Sequence, residues 1–237
     1  MRDTIRNGGL AEFVARTSKY LDWYRQQLDE GKISPEELAK TGHFDFITNL
    51  FYTIAHYSVG SSKADVQAHL RNTIDAFEQG FKWEGFENTY GGYDEMTWMV
   101  SLSILCDIEL ADFKRITAIL KRDGVEDPLL NYLIKSKQPD WSQYGVYIIQ
   151  KSPYSGLDKL IKETDPVKGI ERIKTYLEKE WYNGHNDAAW HNRHKNTKVN
   201  SYFGYWAWET AALVKAKGWD DTALQGVLYY PYDAVHW

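Results

Sequence analysis

The stretch that decides the expected fold is YFGYWAWETAA at residues 202–212, which is followed by GWDD at 218–221 and YYPYDAVHW at 229–237. Aromatic rings recur in it at helical spacing, and a helix is predicted over residues 199–217. Four side chains fall on one face of this predicted helix: Tyr202, Tyr205, Trp206 and Glu209. The small residues Ala211 and Ala212 allow a neighbouring helix to approach closely.

The residues after this predicted helix indicate a packed C-terminal end. Gly218 is a helix stop, and Asp220 and Asp221 are expected to act as caps. The ending YYPYDAVHW, with Tyr232 at its centre, predicts an aromatic plug packed on the preceding helix. Asp233 and His236 are spaced to pair across one turn of that plug.

Apolar residues at intervals of three and four continue through the rest of the chain. They predict helices over residues 10–30, from Ser34 to about 42, and over 44–59, 62–81, 93–105, 108–121, 127–136, 155–163 and 166–182. Alternation of period two does not recur, so the fold class is all-α, a packed multihelical bundle. The pattern pauses around residues 137–140, which divides the expected N-terminal helical domain, 1–137, from a C-terminal helical domain, 138–237.

Bulk composition restricts the function classes. The 237 residues carry a net charge of −5, which argues mildly against nucleic acid as a direct partner and permits a basic protein partner. A single cysteine, Cys106, excludes an internal disulfide and suits a reducing compartment. Because no apolar run is long enough to span a membrane and no signal peptide is apparent, a cytoplasmic protein without membrane contact is expected.

A histidine-rich segment, residues 185–194, is the most enzyme-like feature. His185, His191, His194 and Asp187 are ligand types that zinc or a di-metal hydrolase uses, with Glu209 downstream. Their spacing matches no recognised metal motif, and Lys195 and Lys198 place positive charge nearby. A hydrogen-bonded structural motif that includes Trp190 is therefore favoured, with a structural role for Glu209. No catalytic residue, metal or cofactor is expected, and a metal-dependent hydrolase remains the alternative.

The loop over residues 83–95 combines acids with aromatic rings. It contains Glu84, Phe86, Glu87, Tyr90, Asp94 and Glu95 without an intervening base. Acids that steer association and rings that supply buried area are what a protein presents to a basic, DNA-binding surface. These six residues are therefore the predicted partner-binding site. The alternative is that the rings belong to the core, with the acids at its rim and Asp94 as a helix N-cap.

Several of these motifs together resemble one known family. The helix at 202–212, the GWDD cap and the YPYDAVHW ending look like the C-terminal domain of the polymorphic nuclease immunity family, PoNi. WYNGHND at 181–187, with Trp190 and His194, is similar to that domain's internal motif, although His191 stands where the family more often carries an aromatic residue. MRD at 1–3 and residues 57–113, including YDEMTWMVSL at 93–102, resemble the family's N-terminal domain.

The resemblance implies a function that composition alone does not. PoNi members are cytoplasmic immunity proteins, or antitoxins, that bind and inhibit a PoNe DNase toxin delivered between competing bacteria as a secretion-system effector. It therefore implies a non-enzymatic toxin inhibitor whose partner is the cognate nuclease. A helical scaffold for another protein partner is the remaining alternative, and whether the chain forms a homodimer stays open.

Overall fold

The computed structural model describes residues 2–3, 5, 7–84, 92–196 and 198–237, with side chains at 7, 8 and 39 left out. Within these ranges the chain is helical without a β-strand, which confirms the all-α prediction. The α-helices are α1 Asn7–Asp29, α2 Pro35–Val59, α3 Lys63–Gly80, α4 Gly92–Leu105, α5 Leu110–Arg122, α6 Pro128–Lys137, α7 Leu157–Lys162, α8 Pro166–Tyr176, α9 Tyr182–Gly184, α10 Trp208–Lys217 and α11 Tyr232–Val235. None of the described helices is long and apolar enough to cross a membrane.

Residues 1–82 and 192–205 form the first of two compact units. Ser34 caps α2, and Ser62 caps α3, each in a capping box with the acid three residues later. The two helices predicted between residues 34 and 59 are one continuous helix, α2, because nothing between them breaks its hydrogen bonds. Gly42 and Gly80 lie where α2 and α3 meet, and a Cβ on Gly80 would lie 2.0 Å from the Gly42 carbonyl oxygen.

The segment 192–205 contributes to the core of this first unit. Phe203 stacks on Phe51 of α2 with ring centroids 3.9 Å apart, and the Ser58 hydroxyl donates to the Phe203 carbonyl at 2.9 Å. The Tyr202 hydroxyl donates to the buried Asp3 carboxylate. A segment distant in sequence therefore packs directly against α2.

Residues 83–191 and 206–237 form the second unit. Every residue of α4 is buried, and α5, α6 and α10 pack around it. Asp127 caps α6 and Asp165 caps α8, each by accepting backbone N–H groups of the first turn. After Tyr176, the helix continues as a π-helical turn, Leu177–Trp181. The compact units thus divide the chain differently from the predicted domains, since residues 83–137 lie in the second unit.

The aromatic helix predicted over residues 199–217 is shorter than expected. Residues 199–207 are not helical, and the helix begins at Trp208. Gly204 has a φ of 106°, which is outside the helical region and favours glycine. The rings of 202–206 therefore pack from an irregular segment, not from one helical face. The C-terminal end packs as expected, since the Ala207 N–H donates to the Tyr229 carbonyl at 2.9 Å and α11 contacts α10.

Candidate functional site

The six residues of the predicted partner-binding site fall into three groups: one exposed, three outside the described residues and two buried. Glu84 is exposed, as a partner contact requires, while Phe86, Glu87 and Tyr90 lie outside the described residues. Asp94 and Glu95 are only 2 % and 5 % exposed, because both lie in the first turn of the fully buried α4. This corrects the surface role expected for these two acids and places them in the core of the second unit.

Asp94 is the centre of a buried polar network. The Tyr154 hydroxyl donates to its Oδ1 at 2.7 Å, and the Trp190 Nε1 donates to its Oδ2 at 3.2 Å. The His185 Nε2 lies 3.5 Å from Oδ1. A buried carboxylate is tolerated when its oxygens are hydrogen-bonded and its charge is paired, and Asp94 meets both conditions.

His185 is oriented by both of its ring nitrogens. Its Nδ1 donates to the Trp181 carbonyl at 2.6 Å, and its Nε2 lies 3.1 Å from the Tyr154 hydroxyl. Burial is the largest single influence on the pKa of His185 and lowers it, but the Asp94 carboxylate, the Glu209 charge and the hydrogen bond to Trp181 together raise the net pKa. Burial likewise opposes ionisation of Asp94, but His185 and the hydrogen bonds lower its pKa overall. The two shifts agree on a buried Asp94–His185 ion pair.

Two further carboxylates in this core favour the protonated form. Burial and the neighbouring charge of Asp94 raise the pKa of Glu95 well above its usual value. Burial also raises the pKa of Glu209 to about 7, and Tyr176 donates a hydrogen bond to its Oε1 at 3.2 Å. Each has one buried oxygen, Oε2, without a hydrogen-bond partner among the described residues. The lowered pKa of Asp94 and the raised pKa of Glu95 favour one ionised and one protonated carboxyl group, an arrangement that avoids repulsion between like charges.

A second cluster closes the C-terminal end. Asp220 accepts the Thr222 N–H at 3.0 Å in the turn after α10, whereas Asp221, also expected as a cap, makes no side-chain capping hydrogen bond. Asp221 is buried and accepts from the Tyr230 hydroxyl and the His236 Nε2, both at 2.8 Å. The rings of Tyr232 and His236 are tilted against each other with centroids 4.3 Å apart, and the Asp233 backbone carbonyl accepts the His236 N–H. The side-chain hydrogen bond of the His236 ring is thus with Asp221, whereas pairing with Asp233 was expected.

The remaining predicted motif residues separate into the two units. In the first unit, Tyr205 accepts the His194 backbone N–H at 3.2 Å and lies 3.3 Å from its Nδ1. In the second unit, the ring centroids of Trp206 and Trp208 are 6.2 Å apart. Asp187 lies exposed on the turn after α9, whereas the Asp94 network is buried. The predicted motif therefore consists of separate clusters.

Comparison of the sequence with family models shows to which family this chain belongs. The model described as PoNe immunity protein (PoNi), N-terminal, matches residues 36–118, and the PoNi C-terminal model matches residues 125–234. This chain belongs to the PoNi family. Its fold is similar to the crystal structure of protein PA2201 from Pseudomonas aeruginosa, with a TM-score of 0.68 and 16 % identity over 99 % of this chain and 90 % of that one. No curated protein matches the sequence.

Two histidines of this PoNi chain, His185 and His191, lie against neighbouring aromatic side chains. His185 has both nitrogens engaged, and the His191 ring packs on Tyr182 at 4.3 Å. In the described part of the chain, no group of three or more His, Cys, Asp or Glu side chains is placed to hold a metal ion. The observed partners are those of a hydrogen-bonded core, which is the role that the sequence favoured for His185.

The sequence did not reveal two features of the second PoNi unit. Asp127 accepts the backbone N–H groups of Leu129 and Leu130, the Tyr93 hydroxyl and the Ile149 N–H, so it does more than cap α6. Tyr154 and Tyr176, which donate to Asp94 and Glu209, were not expected in a polar core. The sequence Asp127-Pro128 indicates the start of a helix and its cap. No local pattern indicates which distant hydroxyl will reach a buried carboxylate.

Proposed function

We propose that this chain is an immunity protein that binds and neutralises a cognate PoNe-type DNase toxin in competition between bacteria. The observation that carries the proposal is the match of both PoNi domains, over residues 36–118 and 125–234. A DNase acts on DNA in the cytoplasm, so its inhibitor is needed there, and cytoplasmic localisation is part of the proposal. The direct partner is the toxin protein and not DNA.

The proposed role is inhibition without catalysis. The cluster of acids and histidine that most resembles an active site consists of Asp94, Glu95, His185 and Glu209. All four are buried, and Asp94, His185 and Glu209 form hydrogen bonds with other core groups. A substrate must reach a general acid or base within hydrogen-bonding distance. The geometry of this network instead supports a rigid core that holds a binding surface in place.

Part of the predicted acidic loop stays in this proposal as a toxin contact. Glu84 is exposed at the end of the segment that precedes α4, and the proposal extends to Phe86, Glu87 and Tyr90. A nuclease lines its DNA groove with Lys and Arg, so exposed acids accelerate association. Reversal of Glu84 and Glu87 to Lys should slow association with the toxin, and an unchanged rate and salt dependence would remove the loop from the proposal.

The test of the proposed function is protection in cells. The nuclease domain encoded beside this gene is expressed under a tight promoter, with and without this chain, and surviving colonies and intact chromosomal DNA are measured. The proposal predicts that the nuclease alone kills and that coexpression restores growth. A nuclease domain from an unrelated toxin is the matched control. If the chain gives no protection against the neighbouring nuclease at equal expression, the proposed function is wrong.

A further inference from the structure

An aromatic loop in the second unit is exposed to an unusual degree. Residues 141–150 are neither helix nor strand, and their sequence, WSQYGVYIIQ, carries no charge. Tyr144, Val146 and Tyr147 are 72 %, 78 % and 72 % exposed, above the exposed rings of Trp23 and Phe44 at 54 % and 60 %. These three side chains fall within four consecutive residues, which span at most about 11 Å, and this exposed, mainly apolar stretch is here named the tyrosine platform.

The loop that carries the tyrosine platform is fixed at both ends. The Trp141 ring is buried, and its Nε1 donates to the Asn131 Oδ1 of α6 at 2.9 Å. At the other end Ile148 is buried, and the Ile149 N–H donates to the Asp127 Oδ2 at 2.8 Å. Exposed rings on a loop that is held in this way lose little conformational freedom when a partner binds.

The centre of the loop packs directly against the residues before α6. Gly145 is buried, and a Cβ at this position would lie 2.5 Å from the Asp127 nitrogen and 2.6 Å from the Glu126 carbonyl carbon. This close approach between the two backbones places the tyrosine platform beside Glu126, which is exposed. Rings and an acid therefore lie together on this surface.

We propose that the tyrosine platform, with Glu126 at its edge, is a docking surface for the cognate nuclease toxin. This inference rests on the proposed function and names a contact surface for it. Tyrosine is enriched at interface positions that dominate binding energy, because it buries a large ring and keeps a hydroxyl for hydrogen bonding. Glu126 complements the Lys and Arg side chains of a DNA-binding partner.

A second copy of this chain suits the tyrosine platform less well than a basic partner does. In a two-fold dimer the same patch faces itself, and the loop that carries the platform, WSQYGVYIIQ, has no basic residue to pair with Glu126. An acid that is covered at an interface without a counter-charge disfavours association. The acid beside the rings therefore favours a basic nuclease as the occupant.

The test compares two sets of aromatic substitutions for binding to the catalytically inactivated nuclease domain encoded beside this gene. The triple variant Tyr144→Ala, Val146→Ala, Tyr147→Ala removes the tyrosine platform. The double variant Trp23→Ala, Phe44→Ala removes exposed rings of the first unit and is the matched control. Loss of a dominant contact should raise the Kd of the triple variant about 30-fold or more, mainly through faster dissociation, whereas the control should change less than about 3-fold.

The outcomes separate this inference from the proposed function. Urea unfolding should show equal stability for the wild type and the triple variant, because the substituted side chains are exposed. If the wild type binds tightly and the triple variant binds equally well, the platform is not the docking surface and the proposed function stands. If the control weakens binding as much as the triple variant, the platform inference also fails. If the wild type does not bind the nuclease, both proposals fail.

Self-association is measured in the same experiment. Sedimentation of the wild type and the triple variant, each without toxin, reports whether the tyrosine platform joins two copies of the chain. A wild-type dimer that the substitutions dissociate, together with an unchanged Kd for the nuclease, would assign the platform to a homodimer interface and overturn the inference. Equal sedimentation of both proteins, with the predicted loss of nuclease affinity, supports it.

Discussion

Two aromatic segments of the second unit contain or adjoin acids, and the structure places them in opposite environments. At the start of α4, Tyr93, Asp94 and Glu95 are buried. In the loop at 141–150, Tyr144 and Tyr147 are exposed beside Glu126. Acid and aromatic composition therefore does not identify a binding surface. The two segments differ in whether side chains from other parts of the chain form hydrogen bonds with their polar groups.

One residue links the two environments. The Asp127 Oδ2 accepts the Tyr93 hydroxyl at 3.0 Å and the Ile149 N–H at 2.8 Å. The first bond fixes a buried ring of α4, and the second fixes the end of the exposed loop. The buried polar groups thus have a consequence for the surface, since they hold the tyrosine platform in place.

The largest effect is expected from removing the central carboxylate of the buried segment. Asp94→Ala would leave His185 without its counter-charge and the Tyr154 and Trp190 donors without their acceptor. Breaking a buried pair in this way destabilises proteins by about 3 to 5 kcal/mol. Urea unfolding measures the change in free energy. Asp187→Ala is the matched control, because this acid is exposed in the segment that carries His185 and Trp190, and it should change stability by less than about 0.5 kcal/mol.

Equal effects from these two substitutions would contradict the assigned environments. They would mean that the buried and exposed acids are not distinguished by their surroundings. A loss of several kcal/mol confined to Asp94→Ala would show that the acid of α4 belongs to the core network.

The second-largest effect is a dependence of the unfolding free energy on pH, which arises from a buried acid of the core and not from the exposed loop. Burial raises the pKa of Glu209 from 4.5 to about 7, so the folded chain keeps this proton while the unfolded chain releases it. Its contribution to stability is therefore complete below pH 4.5, falls as the pH rises, and is lost above about 7, with a total change on the order of 3 kcal/mol. Glu209→Gln removes this titration.

The measurement is the unfolding free energy of wild type and Glu209→Gln across this pH range. The wild type should lose stability relative to the variant as the pH rises, because only the wild type must then bury a charge. Glu178→Gln, at an exposed glutamate, is the matched control for the change in composition. A difference between wild type and Glu209→Gln that stays constant with pH would show that Glu209 is not buried as described.

A smaller effect is expected at the anchor of the exposed loop. Gly145→Ala would place a methyl group 2.5 Å from the Asp127 nitrogen, so the loop must shift. Overpacking of this kind costs about 1 to 3 kcal/mol. Ser142→Ala, at an exposed position of the same loop, should cost less than about 0.5 kcal/mol. Thermal or urea unfolding measures the stability of the two variants. Equal stability would mean that the loop is not held against Asp127.

The sequence predicts the helices well where local signals determine them. Ser34, Ser62 and Asp127 cap the helices that were predicted to start at these positions, and the apolar residues Val66, Leu70, Ile74 and Phe77 of α3 are buried. The prediction was wrong for residues 199–207, since rings at helical spacing also fit an irregular segment that packs on distant helices. Periodicity reports which residues become buried more reliably than it reports the backbone conformation that buries them.

The site was predicted less well than the fold, and for a physical reason. His185, Trp190 and Glu209 were identified as structural, and the structure connects His185 and Trp190 through Asp94. Tyr154 lies 60 residues from Asp94, so no spacing pattern could reveal their hydrogen bond. The exposure of Tyr144 and Tyr147 also depends on tertiary contacts, because Trp141 and Ile148 in the same apolar stretch are buried.

DNA cleavage by the nuclease domain, titrated with this chain, tests the central claim most directly. Purified nuclease is mixed with linear DNA and increasing amounts of wild-type chain, of the tyrosine platform triple variant, or of the Trp23→Ala, Phe44→Ala control. Neutralisation by tight binding predicts that cleavage falls to background near equimolar wild type or control, and that the triple variant requires a large excess. If DNA is degraded at an unchanged rate in a large excess of the wild-type chain, this chain is not the immunity protein of that nuclease.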